Sequence, residues 1–129
     1  MEILLDTHAL WWFLNGSDKM PNAVKETILT SENTIYVSIA SIWEVAIKMS
    51  IGKLKFDGGI DRFVEAIEDE AFMLLDIIPK HIETVTKMDY IHRDLFDRML
   101  VAQAIVEELP VITIDSNMVK YDITPIWKS

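Results

Sequence analysis

Acidic side chains occur in this sequence at places where core residues are expected. Asp6 follows the apolar run 3–5 and precedes a second apolar run at 9–14. A carboxylate flanked by core material is costly unless it is hydrogen-bonded, paired or bound to a cation. If several acids converge, a hard divalent cation that prefers oxygen ligands, Mg²⁺ or Mn²⁺, would offset their mutual repulsion. Four later acids raise the same question: Glu44, Asp94, Asp97 and Asp115.

The apolar pattern predicts the elements that would position these acids. Short β-rich runs predict strands at 2–6, 34–38, 72–77 and 111–114, and an edge strand at 123–127 because Pro125 cannot donate to a central ladder. Helical spacing and stop signals predict helices near 8–15, 21–31, 39–51, 60–69, 79–88 and 92–108, the last beginning as a loop. This alternation predicts an α/β fold, with a mostly parallel central sheet of four to five strands covered by helices on both faces.

Such a sheet would bring the acids to one edge. Ligands of open parallel sheets bind outside the carboxyl ends of the strands. Asp6 and Asp115 directly follow predicted strands, and Glu44 lies in the first two turns of the helix after the second strand. The helix opened by Asp94 and Asp97 should start at the same edge, because helices in this fold run antiparallel to the strands.

Each acid also has an ordinary structural explanation. An acid directly after a strand can form a turn by bonding its own backbone. Glu44 can pair with Lys48 one helical turn later. Asp94 can be the N-cap of its helix, with Asp97 favoured in the first turn by the helix dipole. These explanations suit single residues but do not account for carboxylates crowded together.

The remaining polar residues give weaker signals. The hydroxyls of Thr7, Ser38 and Thr113 lie near predicted strand ends, where they could hold a ligand or water, or serve as caps and turns. The sequence has no Gly-rich phosphate loop, and no Ser or Cys nucleophile with a His base is indicated. The histidines have no spacing that indicates a zinc site: His8, His81 and His92.

Composition restricts the class of protein. The 129 residues, 50% hydrophobic and 26% charged, suit one domain over residues 1–129. Cysteine is absent, which fits a cytoplasmic protein. No apolar window reaches the length of a membrane span, and Asp6 interrupts the stretch where a signal peptide would be apolar, so we expect neither membrane association nor export. The net charge of −9 argues against broad nucleic-acid binding, which normally depends on a basic surface.

Four segments stand in order along the chain: LLDTHALWWFL, VSIASIWEVAIKMSIGKLKF, HRDLFDRMLVAQA and VITID. In order and spacing they are similar to the signature blocks of PIN-domain ribonucleases, most of all the VapC-type toxins of type II toxin–antitoxin systems. The resemblance covers nearly the full chain. Two positions depart from the family pattern: Leu95 replaces a proline, and Asp115 lacks the usual charged neighbour before it.

The resemblance implies a PIN-like three-layer domain that cleaves RNA with a carboxylate-bound Mg²⁺ or Mn²⁺. In this mechanism one or two cations activate a water and stabilise charge on the attacking and leaving oxygens. Arg98 or Arg93 could contact a flanking phosphate, or either could be a solvated surface charge. The implied catalytic and metal-binding acids are Asp6, Glu44, Asp97 and Asp115.

The resemblance also implies partners. They are an RNA substrate, a cognate antitoxin and a second copy in a homodimer. Because the apolar residues 11–14 cannot all face one helix stripe, we expect either that some of them remain exposed for a partner or that the helix is sandwiched inside the domain.

The acidic charge, in turn, predicts few phosphate contacts and a small footprint on single-stranded or loop RNA, positioned by Lys48, Lys53 and Lys55. Two alternatives stay open: a non-catalytic interaction module on the same fold, and a phospho-accepting receiver-like domain. Receiver domains usually have adjacent acids after the first strand and a late lysine, and neither feature is clear in this sequence.

Overall fold

The computed structural model describes residues 1–127, and their apolar strand segments form one five-stranded parallel sheet. The strands are β1 (Glu2–Leu5), β2 (Thr34–Ser38), β3 (Met73–Leu75), β4 (Val111–Ile112) and β5 (Pro125–Ile126). Their spatial order is β3-β2-β1-β4-β5, and every neighbouring pair is parallel. The predicted α/β fold with a parallel central sheet is therefore confirmed.

Helices connect these strands as the apolar spacing predicts. They are α1 (Thr7–Leu14), α2 (Asn22–Leu29), α3 (Ile39–Ser50), α4 (Gly59–Asp69), α5 (Pro79–Lys87) and α6 (Leu95–Glu107), with a 3₁₀ helix at Met118–Lys120. Pro21 is the N-cap of α2 and precedes its first turn. Of the helices in the described residues, none combines the length and apolar character needed to cross a membrane.

Four strands are shorter than the sequence predicts: β1 by one residue, β5 at Pro125–Ile126, and β3 and β4 as follows. The third predicted strand, 72–77, is reduced to Met73–Leu75, which lies at the edge of the sheet and is largely exposed. The fourth, 111–114, ends at Ile112 because the next residues bond locally. Thr113 Oγ1 accepts the backbone N–H of Asp115, whose own carboxylate starts the following turn. The predicted edge strand is confirmed at Pro125–Ile126.

Strand β1 lies in the middle of the sheet and has core on both faces. Ile3 and Leu5 belong to one buried cluster, whereas Leu4 belongs to another that includes Leu100 and Val101 of α6. Alternate residues of a strand point to opposite faces, so a strand covered on both sides reads as a continuous apolar run. Since β1 pairs with β4 through Leu5 and Ile112, the residues that follow the two strands leave the sheet side by side.

Candidate functional site

Asp6 is placed at the carboxyl end of β1 and is also the N-cap of α1. Its Oδ1 accepts the backbone N–H of Ala9 at 2.7 Å, and the residue is 3% exposed. Burial raises the pKa of Asp6 above its ordinary value, although hydrogen bonds from Thr113 and Ala9 oppose the rise. The charge of Asp115 adds to the rise. Asp6 thus combines a cap with a position beside a second acid.

Glu44 lies on α3 and keeps one carboxylate oxygen without a partner. Its Oε2 accepts a hydrogen bond from Lys48 Nζ at 2.7 Å, as predicted for residues one turn apart. Within residues 1–127, Oε1 is buried and makes no hydrogen bond. Buried polar atoms nearly always have a partner. The ion pair with Lys48 therefore explains why Oε2 can be buried, but it does not explain the burial of Oε1.

Asp94 and Asp97 open α6, and the predicted N-cap is confirmed. Asp94 Oδ1 accepts the backbone N–H groups of Phe96 and Asp97, both at 2.9 Å. Asp97 lies in the first turn, and burial together with the charges of Asp94 and Glu44 raises its pKa to about 7. A carboxyl group is shifted this far when it is desolvated among like charges. The structure therefore brings Asp97 close to acids from other segments.

Asp115 follows β4 and is held by its own turn. Its Oδ1 accepts the backbone N–H groups of Asn117 at 2.8 Å and Met118 at 2.9 Å. Partial burial alone would raise its pKa, but the donors around it, Met118 and His92 foremost, outweigh burial and lower the pKa. Asp115 therefore forms a turn with its own backbone, as expected for an acid that follows a strand. Its Oδ2 takes no part in that turn and can bind other groups.

The acids and one histidine form two groups that share Asp97. Glu44, Asp94 and Asp97 present ligand atoms within 4.8 Å of one another. His92, Asp97 and Asp115 do the same. In the described part of the chain, Asp6 joins neither group, although it lies near Asp115 and contacts Thr113. The geometry therefore centres on Asp97, with Asp6 at its margin.

Sequence reasoning missed His92 as part of this cluster. Its Nε2 lies 3.1 Å from Asp115 Oδ2 and 3.1 Å from Asp97 Oδ2. The sequence position of His92 could have indicated this, because His92 lies two residues before the N-cap Asp94 and its ring can reach the start of the helix. Its backbone is fixed by Tyr121, whose hydroxyl oxygen accepts the N–H groups of Ile91 and His92 at 3.0 and 2.9 Å.

The predicted supporting hydroxyls take part mainly in local structure. Ser38 Oγ accepts the backbone N–H of Ala40 at 3.0 Å as the N-cap of α3. Thr7 Oγ1 lies 2.9 Å from Ser41 Oγ, and both residues are buried. Thr113 differs from them, because its Oγ1 accepts the backbone N–H of Asp115 at 3.0 Å. Of the three residues, Thr113 therefore has a direct link to the acids.

Arg98 is engaged by groups outside the acid cluster. Its guanidinium donates to the carbonyls of Val85 at 3.2 Å and Asp89 at 3.3 Å, and it lies 4.7 Å from the ring centroid of Tyr90. It also donates to the Tyr121 hydroxyl at 3.4 Å. Through these contacts Arg98 joins the end of α5 to α6.

The residues present fit a divalent cation. The unpartnered oxygen of Glu44 lies in a buried position and supplies a free acceptor. Burial, followed by the charges of Asp94 and Glu44, raises the pKa of Asp97, and a bound cation would offset both by stabilising the charged carboxylate. Carboxylate oxygens are the ligands that Mg²⁺ and Mn²⁺ prefer. Both observations concern side chains from different elements, so the fit does not depend on one local motif.

Comparisons with known proteins identify related sequences and folds. The model of the PIN domain family matches residues 3–123. A chain of VapBC2 from Rickettsia felis, solved bound to a DNA fragment from the promoter of that pair, is 14% identical with a TM-score of 0.72, and the match covers 98% of each chain. The Pyrobaculum aerophilum protein PAE2754 is 17% identical with a TM-score of 0.61, over 97% of this chain and 83% of that one. No curated protein matches the chain.

Proposed function

The chain belongs to the PIN domain family, and we propose that it is a metal-dependent endoribonuclease and the toxin of a toxin–antitoxin pair. The observation that carries the proposal is the grouping of acids around Asp97, with the buried, unpartnered oxygen of Glu44 beside them. A cluster that serves only structure would be expected to satisfy each buried oxygen. The family supports the general class of nuclease, whereas the cation and the RNA substrate belong to the proposal.

We assign the cation ligands to Asp97, Glu44, Asp6 and Asp115. Asp97 is central because it belongs to both groups. Asp115 presents Oδ2, since Oδ1 is bound by two backbone N–H groups. When bound, Mg²⁺ or Mn²⁺ supplies Lewis-acid polarisation of the phosphodiester and a more acidic water.

The protein's own contribution is to hold these carboxylates in place before substrate binds. Asp6 is fixed by its cap to Ala9, and Asp115 by the turn at 115–118. Asp94 fixes the start of α6, and this in turn fixes the position of Asp97 in the first turn of that helix. Preorganised charges of this kind need little rearrangement during reaction.

The acidic surface favours a small RNA footprint. With a net charge of −9, the protein cannot rely on many phosphate contacts. Lys48 is already paired with Glu44, whereas Lys53 and Lys55 are exposed on the loop after α3. These two lysines are the better candidates for a positioning edge, with single-stranded or loop RNA as the substrate.

The partner surface differs from the sequence expectation. Of residues 11–14, Phe13 is buried and the other three are half-buried, with Trp11 and Trp12 packed against Phe63 and Trp127. Exposed apolar side chains instead lie on α3 and at its C-cap: Trp43 and Ile47 on the helix, and Ile51 directly after it. We propose this α3 surface for the antitoxin, whose tail would be basic to match the charge of the toxin. The exposed β3–α5 side, with Met73, Leu74 and Ile82, is our proposal for the homodimer contact.

The test is RNA cleavage by the purified protein. We expect cleavage with Mg²⁺ or Mn²⁺, and none in excess EDTA or with Asp97→Asn. Activity that persists in EDTA after repurification would contradict the metal mechanism. Absence of cleavage of any structured or single-stranded RNA with either cation would favour a non-catalytic interaction module on the PIN fold.

A further inference from the structure

His92 occupies a central place among the acids without being an acid itself. Its side chain is 12% exposed, and its Nε2 is 3.1 Å from one carboxylate oxygen of Asp97 and one of Asp115. It hydrogen-bonds the Asp115 oxygen. One imidazole nitrogen therefore faces acids from two separate elements, the start of α6 and the turn after β4.

The other ring nitrogen determines which chemical role is open to His92. Nδ1 accepts the backbone N–H of Asp94 at 3.1 Å, so it carries a lone pair and no proton. The proton of the neutral ring is therefore assigned to Nε2, which donates and has no lone pair for a metal ion. His92 is thus a donor to the Asp115 carboxylate and not one of the ligands.

The surrounding structure fixes the His92 ring firmly. The Tyr121 hydroxyl oxygen accepts the N–H groups of Ile91 and His92, and Tyr121 is 9% exposed. The Asp94 bond fixes the ring from the other side. A donor held at both its backbone and its ring can set the position of the oxygen that it bonds.

We propose that His92 is a positioning residue for the cation site. Its Nε2–H holds Asp115 Oδ2 beside Asp97 Oδ2, so that both carboxylates face one cation without rearrangement. This inference rests on the proposed function, because it requires that a divalent cation binds at Asp97. Partners that orient metal-binding carboxylates typically change metal affinity by about 10- to 100-fold when they are removed.

His81 provides a matched control in the same chain. Its Nδ1 accepts the backbone N–H of Ile78 at 3.1 Å, and its Nε2 lies 2.8 Å from Glu107 Oε2. The local pattern is the same as that of His92, with a backbone donor on one nitrogen and a carboxylate on the other. Among the described residues, however, His81 belongs to neither group of ligand atoms.

The experiment is a calorimetric Mn²⁺ titration of the metal-free protein at one fixed pH, with far-UV circular dichroism to verify folding. In His92→Asn the side-chain oxygen can still accept the Asp94 N–H, but no donor reaches the position of Nε2. We expect its Mn²⁺ affinity to fall by about 10- to 100-fold. His92→Gln, which can restore a donor there, should recover part of the loss, and His81→Asn should bind Mn²⁺ as the wild type does.

Tyr121→Phe is the second variant, in case His92→Asn does not fold. It removes one hydroxyl that fixes the His92 backbone, and we expect weaker Mn²⁺ binding by a smaller factor. Unchanged or tighter binding in the folded His92 and Tyr121 variants, beside a wild type that binds, would overturn the inference alone. A wild type that binds no Mn²⁺ would overturn both the inference and the proposed metal site.

Discussion

His81 and His92 make the same pair of bonds in two regions of the molecule. Each accepts a backbone N–H at Nδ1 and presents Nε2 to a carboxylate. At His81 one carboxylate of the described residues 1–127, that of Glu107, lies within ion-pair distance, and the bond joins α5 to α6. At His92 two carboxylates lie at 3.1 Å from the same nitrogen. The local hydrogen-bond pattern is therefore the same in both regions. The regions differ in the number of carboxylates that lie close to the imidazole.

The difference shows how one arrangement can serve packing or chemistry. A single buried hydrogen bond between two helices stabilises their contact by about 1 kcal/mol, or more when one partner is charged. Asp97 is buried beside other acids, and burial first and their charges second raise its pKa, so one donor does not balance the negative charge there. We expect substitutions in the His81 region to change stability and those in the His92 region to change metal binding and cleavage.

The largest effect should follow substitution of Asp97, which belongs to both ligand groups. Asp97→Asn should reduce RNA cleavage by more than about 100-fold, because metal-assisted charge stabilisation is worth several kcal/mol. It should still fold, since the repulsion among the acids is relieved. Rates of cleavage measured with Mg²⁺ and Mn²⁺ check this.

The control for that substitution is Asp94→Asn, three residues earlier. Asn caps a helix about as well as Asp does, so stability should be retained. Because Asp94 joins only one group, we expect a smaller loss of cleavage, about 10-fold. An inactive Asp94→Asn protein beside an active Asp97→Asn protein would reverse the assignment of these two acids.

A second prediction concerns the stability of the metal-free protein as a function of pH. The pKa of Asp97 is raised from 3.8 to about 7, so the folded state holds this proton more tightly than the unfolded state. Between pH 4 and 7 the free energy of unfolding should therefore fall as pH rises, with the full cost present above pH 7. The shift corresponds to roughly 2–4 kcal/mol.

Urea unfolding in EDTA at pH 5 and pH 8 tests this contribution by comparing the wild type with Asp97→Asn. The variant should be the more stable protein at pH 8, and its advantage should shrink at pH 5. Asp115 does not affect this window, because its lowered pKa adds stability above 3.8 that is lost only at more acidic pH. An equal difference at both pH values would contradict the burial of a charged Asp97.

A third prediction tests the other side of the comparison. His81→Asn should lower the free energy of unfolding by about 1–3 kcal/mol, because the buried His81 ring loses its partly buried bond to Glu107. Glu107→Gln keeps an acceptor oxygen and should cost less. Chemical unfolding measures both, and RNA cleavage at a temperature where the variants are folded should match the wild type. Loss of cleavage in a folded His81→Asn protein would remove the distinction between the two regions.

The smallest effect is expected at Lys48. Its side chain is 36% exposed and pairs with Glu44 at 2.7 Å, so Lys48→Met should change stability by about 0.5 kcal/mol or less. Removal of a positive charge beside the acids should strengthen Mn²⁺ binding by about 2-fold, an energy typical of such pairs. Weaker Mn²⁺ binding in this variant would contradict the prediction and would indicate that Lys48 helps to hold Glu44 in position for the cation.

Most of the fold could be predicted from local patterns. β1 and β2 were predicted because buried parallel strands are continuous apolar runs, and Asp94 was recognised as a cap because an N-cap bonds only its nearest neighbours. The ends of β3 and β4 were not predicted correctly. They depend on an exposed sheet edge and on the side-chain bonds of Thr113 and Asp115.

For the candidate site, the sequence determined which acids stand at the carboxyl edge of the sheet, since strand direction alone brings Asp6 and Asp115 there. Tertiary structure decided which atoms meet. His92 is 23 residues from Asp115 and 29 from Tyr121, whose hydroxyl fixes it. Neither contact produces a periodic pattern in the sequence from which it could be predicted. Such contacts form only when α6 packs on the sheet and the segment after β4 closes against its start, because side-chain hydrogen bonds depend on distances of a few tenths of an ångström.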